Sequence, residues 1–318
     1  MRRGGVYASF FACYIPADKQ EPLSYAKSLI DVTKRQVSRN SGVAALATSK
    51  EEIEKNYSNG LISVVLALEN GSPIGDSFEI LKDFYDAGVR YVTLTHSQDN
   101  QICDSCSGRG TWGGLSPFGK RLVREMNRIG MLVDLAHCSN DTVKDVLDIT
   151  TEPVVFTHGS CSSICDHRRN LPDYLMRGIA DTGGVVGISL YPCFISNEFN
   201  RILDESGLMA ESYKEDMFIS DPSNPEYRRE WEELQDKLNS LAGRPELGLY
   251  ADHIEHAIEV CGVGHVGIGT DYDGIEVTPV GMETIAGLSE VFVELKNRGL
   301  SDSDASLVAS GNFLSLLK

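Results

Sequence analysis

Short apolar runs rich in β-branched residues alternate along the chain with amphipathic stretches of helical period. Four of the runs close on a side chain that can ligate a metal or take up a proton: LISVVLALE at Glu69, MLVDLAH at His137, PVVFTH at His158 and HVGIGTD at Asp271. A fifth, VRYVTLTH, closes on His96. Short β-rich segments separated by helices read as a parallel α/β sheet, and in a closed (β/α)8 barrel the chemistry gathers at the C-terminal ends of the strands. The pattern therefore predicts a TIM-type barrel whose mouth carries these five side chains. One strand-end histidine is ordinarily structural, but five such endings together favour a hydrolytic metal site.

The helical patterns fall where a βα alternation needs them. EPLSYAKSLIDVTKRQVSR follows the strand of Gly5 to Tyr14, and Ser49 is placed to cap KEEIEKNY. DSFEILKDFYDAG, FGKRLVREMNRIG, NDTVKDVLDIT and YLMRGIADTG follow the next four strands. GGVVGISLY is a further strand, followed by a long acidic, aromatic-dotted insertion at about 195–250, the helix ADHIEHAIEVCG and two terminal helices. Strands are expected near Tyr7, Val65, Val92, Val133, Val155, Val186 and Gly267, one short of a closed barrel. Either GVAALATS completes the ring or a strand that should precede Met1 is missing. The expectation is a (β/α)8 barrel lacking its first strand, with an open or irregular seam beside Val6 to Tyr14.

Composition narrows the function. With 318 residues and 42% hydrophobic content the chain can form one barrel domain over 1–318. A formal net charge of −17 argues against nucleic acid as a partner, because phosphate binding draws on an excess of Lys and Arg. The eight cysteines are scattered, several within apolar runs, which suits free thiols in a cytoplasmic enzyme better than a disulfide framework. Cys103, Cys106, Cys161 and Cys165 could in principle hold a structural zinc, although the second pair has the wrong spacer. MRRGGVYASFFACYIPA has the outline of a secretory signal but reads better as a strand, and no run reaches the roughly 18 apolar residues of a membrane span.

Each site residue has a bland alternative. Glu69 can bridge two divalent cations or cap the next helix. His137 and His158 end successive βα units and could share one cation. Asp134, three residues before His137, has the opposite parity and is expected to point away from it. Asp271, in GTDYDG between Gly269 and Gly274, suits a general base beside a metal-bound water, with Asp273 as runner-up and a turn carboxylate as the alternative. Arg168 and Arg169 could grip an anionic substrate group or make ordinary surface ion pairs. His253, His256 and His265 are expected to be structural.

At these residues the sequence resembles the membrane dipeptidase (renal dipeptidase) family of zinc metallopeptidases. The matching stretches are RYVTLTHS, GLSPFGKRLVREMNRIGMLVDLAHCS, EPVVFTHGSCSSICDHRRNLPD, HVGIGTDYDG and GNFLSLL, with GGVYASFFACYIPAD before them. The resemblance implies hydrolysis of a dipeptide's peptide bond by a metal-activated hydroxide, with two Zn²⁺ per site. It places the bridging carboxylate on Glu69, the second zinc's ligands on His137 and His158, proton transfer on Asp271, and substrate or transition-state contacts on His96 and Arg169. The family's His-x-Asp pair, which completes the first zinc site, has no counterpart in this sequence, so impaired catalysis is expected. Related hydrolysis of lactones, β-lactams or N-acyl amino acids stays open, as does a non-catalytic remnant; no membrane partner is implied, and a homodimer is allowed.

Overall fold

The computed structural model describes residues 1–318, the side chain of Asp216 excepted. Eight parallel strands form one curled sheet: β1 (Ala8–Tyr14), β2 (Ala44–Leu46), β3 (Ile62–Glu69), β4 (Val89–Thr93), β5 (Leu132–Asp134), β6 (Val155–Gly159), β7 (Val185–Ile188) and β8 (Val266–Ile268). The order around the curl is β1-β3-β4-β5-β6-β7-β8. β1 pairs with β3 from Ser63 to Glu69, whereas β2 takes Ile62–Val64 and β4 takes Leu66–Glu69. β2 and β4 therefore share the other side of β3, end to end. GVAALATS does not complete the ring, and among the described residues β1 and β8 do not pair with each other. The expected seam is there, and Phe11 on β1 stands 41% exposed beside it.

Alternation along the strands separates two apolar cores. Leu66, Leu68, Val92, Val133, Phe156 and Val186 face outward against helices 78–86, 117–129, 140–149 and 173–181. Val65, Ala67, Tyr91, Leu132, Val155 and Val185 face inward, where Phe313, Leu316 and Leu317 of the last helical segment close the floor of the barrel. Ser49 caps its helix as the sequence places it, and Ser77, Ser116 and Ser139 do the same for theirs, each accepting a hydrogen bond from a first-turn backbone N–H. Each such cap is worth about 1 kcal/mol.

Glycines let the last strands pack closely. A Cβ on Gly187 would lie 2.3 Å, and one on Gly269 2.0 Å, from the Thr157 carbonyl oxygen, so neither position has room for a side chain. In the insertion, helices Asn197–Ser206, Tyr213–Ser220 and Pro225–Asn239 are followed by the helix Leu247–Cys261. Phe199, Leu203, Trp231, Leu234 and Leu238 form their own apolar cluster together with Cys193 and Phe194 from the end of the β7 loop.

Candidate active site and metal centre

The inward alternation that places Val65 and Ala67 in the lumen also brings Glu69 to its mouth, as the last residue of β3. Glu69 does not cap the helix that follows; Ser77 does. Its Oε1 lies 3.2 Å from His137 Nε2, 3.5 Å from His158 Nε2 and 3.8 Å from His96 Nε2. The two other Nε2 atoms, of His137 and His158, are 2.9 Å apart. Ligand atoms of Glu69, His137 and His158 all lie within 4.8 Å of one another, a spacing that one cation can bridge.

The strand-end expectation needs correction for three of the five. β4 stops at Thr93, β5 at Asp134 and β8 at Ile268, so His96, His137 and Asp271 stand on the turns beyond. His137 has φ 66°, Asp271 φ 59° and Asp273 φ 70°, backbone conformations that non-glycine residues adopt at a cost of order 1–3 kcal/mol each. Gly274 makes room for one of these turns, since a Cβ there would lie 2.7 Å from Asp271 Oδ1. His158 remains on β6, and its position depends on an irregularity. Phe156 pairs with Val186 but Gly159 with Ile188, so β6 carries one more residue than β7 between those pairs. Such a bulge re-aims a side chain, and it brings His158 to the mouth although the adjacent Thr157 faces inward.

Asp134 corrects another expectation. It is buried and lies inside the barrel, with Oδ1 accepting from the backbone N–H groups of Ala136 (3.1 Å) and Thr157 (2.9 Å). Its Oδ2 accepts from the hydroxyls of Thr93 (2.5 Å) and Thr157 (2.8 Å). Thr157 Oγ1 is also 2.9 Å from His158 Nδ1. Parity counted back from His137 gave the wrong face because β5 ends at Asp134. Counted forward from the inward Leu132, it gives the right one.

Arg169 is 7% exposed, donates from Nη2 to the His158 carbonyl oxygen at 3.1 Å, and lies 5.3 Å from the Phe194 ring centroid. Arg168 is exposed, which separates the two arginines the sequence left equivalent. His96 packs its ring 3.9 Å from His137 and 4.6 Å from Tyr14, centroid to centroid, and its Nδ1 has no hydrogen-bond partner among the described residues. His253 and His265 are structural: His253 accepts from Cys161 N and contacts the Ile195 carbonyl, and His265 contacts the Gly184 carbonyl. His256 Nε2 faces both Ser163 Oγ and Asp173 Oδ1, so serine and aspartate compete for one nitrogen and do not form a relay.

Electrostatics follow from burial. Desolvation, reinforced by Asp271 and Asp134, pushes Glu69 up to about 8. Desolvation raises Asp271 to about 7 against the pull of Arg169, with Glu276 and Asp134 adding to the rise. Desolvation, with Arg169 next, lowers His96 to about 3 and holds His137 and His158 well below the ordinary imidazole value. Neutral imidazoles gathered around carboxylates that resist ionisation are a donor set suited to a divalent cation.

A family model described as membrane dipeptidase, peptidase family M19, matches residues 1–318. The chain belongs to this family. The dipeptidase aclJ of Aspergillus oryzae is 31% identical over 328 residues, covering 100% of this chain and 68% of its own length. Among solved structures, the probable dipeptidase PvdM of Pseudomonas aeruginosa superposes with a TM-score of 0.81 at 24% identity, over 99% of this chain and 86% of that one. A metallo peptidase of Rhodobacter sphaeroides, liganded with a phosphinate mimic of the dipeptide L-Ala-D-Ala, gives 0.80 at 20% identity over 100% and 88%. These likenesses agree with the curled parallel sheet, and membership places the chain among the metallopeptidases. No described helix is long and apolar enough to cross a membrane.

Proposed function

We propose that this M19 chain is a zinc-dependent dipeptidase in which Glu69, His137 and His158 hold a cation at the barrel mouth. The observation that carries the reading is the convergence of their three donor atoms within 4.8 Å, beside Asp271 and the buried Arg169. When bound, the metal would polarise the scissile carbonyl and lower the pKa of water. Arg169 is the group to grip the dipeptide carboxylate, since guanidinium binds carboxylate bidentately. Asp271, raised towards neutrality, can take a proton from water and return it to the departing amine. His96 turns its Nε2 to within 3.8 Å of Glu69 Oε1, which places that nitrogen at the site for a polar substrate atom. The dipeptide as substrate class is supported by the ligand of the Rhodobacter sphaeroides relative.

One further element of the proposal concerns rate. Among the described residues one donor group of this kind is present, so the proposed load is one firmly held Zn²⁺ per chain, with slow turnover where a second cation would have only Glu69 to share. The test is metal analysis of purified protein together with hydrolysis of Gly- and Ala-containing dipeptides, before and after chelation. The expected result is about one zinc per chain and weak activity that chelation abolishes and added Zn²⁺ restores. Robust hydrolysis that survives both chelation and Asp271→Asn would overturn it.

A further inference from the structure

We propose that Asp134, acting through the Thr157 hydroxyl, fixes the tautomer of His158, holding its proton on Nδ1 and leaving Nε2 bare at the mouth of the barrel. Asp134 and Thr157 are in this sense positioning residues. The proposal rests on the reading of His158 as a metal ligand, but the proton placement can be observed without any metal.

The argument is a count of protons. Asp134 is surrounded by four donors: the backbone N–H of Ala136 and of Thr157 on Oδ1, and the hydroxyls of Thr93 and Thr157 on Oδ2. Burial raises the Asp134 pKa, but the two N–H groups can only donate and both hydroxyls are placed to donate as well, so the surroundings favour the carboxylate, which accepts and does not donate. The Thr157 hydroxyl has a single proton and two neighbours, Asp134 Oδ2 at 2.8 Å and His158 Nδ1 at 2.9 Å. With that proton committed to the carboxylate, the oxygen can only accept from His158, so Nδ1 carries the hydrogen. Nε2 is then the lone-pair nitrogen, 3.5 Å from Glu69 Oε1 and 2.9 Å from His137 Nε2. The hydrogen between those two rings consequently comes from His137. A ligating histidine anchored by its other nitrogen presents its lone pair in one orientation, and losing such an anchor typically weakens metal binding 10–100-fold.

The measurement is long-range ¹H–¹⁵N correlation NMR on metal-free protein labelled with ¹⁵N-histidine, the His158 signals being assigned by their loss in His158→Gln. The expected result for the unmutated chain is a protonated Nδ1 and an unprotonated Nε2. Thr157→Val, which removes the hydroxyl at nearly constant shape, should mix or reverse the tautomer and weaken Zn²⁺ binding 10–100-fold in chelator competition, with Thr157→Ser restoring both. Nε2 protonation in the unmutated chain, or a tautomer unchanged in folded Thr157→Val, would overturn the inference. The first of these outcomes needs no variant to fold. If the tautomer behaves as expected but the unmutated chain takes up no Zn²⁺, the metal reading fails and the proton placement stands.

Discussion

The arc of sheet from β3 to β6 and the seam between β1 and β8 support opposite kinds of residue. In the arc, strands pair on both sides, Glu69 and His158 are held on strands, and Asp134 joins β4, β5 and β6 through Thr93 and Thr157. At the seam, neither facing edge has a strand partner among the described residues, and Asp271, proposed for proton transfer, sits on a turn with positive φ. His137 lies between the two cases, on a turn but within reach of both arc ligands. On the proposed roles, two of the three cation donors, Glu69 and His158, draw on sheet register, whereas the third, His137, and the proton-transfer candidate, Asp271, both draw on strained turns.

Substitutions on either side should separate the two. The largest effect is expected from Glu69→Gln: zinc content and turnover should fall to background while the melting temperature of the metal-free protein at neutral pH rises, because an acid that burial forces to take up a proton on folding is gone. Retention of one zinc per chain would place the cation elsewhere. Next comes Asp271→Asn, expected to lower kcat by about 10²–10⁴, the range of a general base, with zinc content nearly unchanged. If metal and turnover fell together, the seam would be part of the binding arc and the comparison would collapse.

Gly269→Ala probes where the regions meet. The new Cβ would be driven against the Thr157 carbonyl oxygen, and the overpacking should cost about 1–3 kcal/mol and show as a lower melting temperature. An unaltered melting temperature would mean that β8 can drift outward into the seam. The smallest effect is a slope with pH. Glu69 and Asp271, raised to about 8 and about 7, keep their protons in the folded state where the unfolded chain has released them. The stability this contributes is complete below the unfolded carboxylate range and is lost as pH rises through those folded values. The depressed histidines act in the opposite sense, but only below about 6.5. From about pH 6.5 to 8.5, therefore, the metal-free protein should lose melting temperature, and saturating Zn²⁺ should flatten the slope by keeping Glu69 ionised in any case. A metal-free melting temperature that climbs over that interval would contradict the burial of these acids.

Much of this could be read in the chain and some could not, for identifiable reasons. The apolar runs located the strands around the ring, and Ser49 located the start of its helix, because both depend on local period and local hydrogen bonding. Glu69 and His158 lie on strands, as their apolar runs predict, whereas His96, His137 and Asp271 stand beyond theirs, since an apolar run does not reveal where the backbone leaves the sheet. Asp134 was set aside by an alternation that ends with its strand; the signal that could have found it is the shared inward series of Leu132 and Asp134, Tyr91 and Thr93, Val155 and Thr157. That β2 lies end to end with β4 is a matter of register across distant segments, which no local pattern carries.

Phe194 has a double membership with a kinetic consequence. Its ring belongs to the apolar cluster of the insertion helices and also lies 5.3 Å from the Arg169 guanidinium. A change in the packing of Trp231, Leu234 and Leu238 would disturb Phe194, and through it Arg169, without touching Glu69, His137 or His158. On the proposed role of Arg169, the insertion is thus a remote handle on affinity for the substrate's anionic end, to be read in KM rather than in kcat.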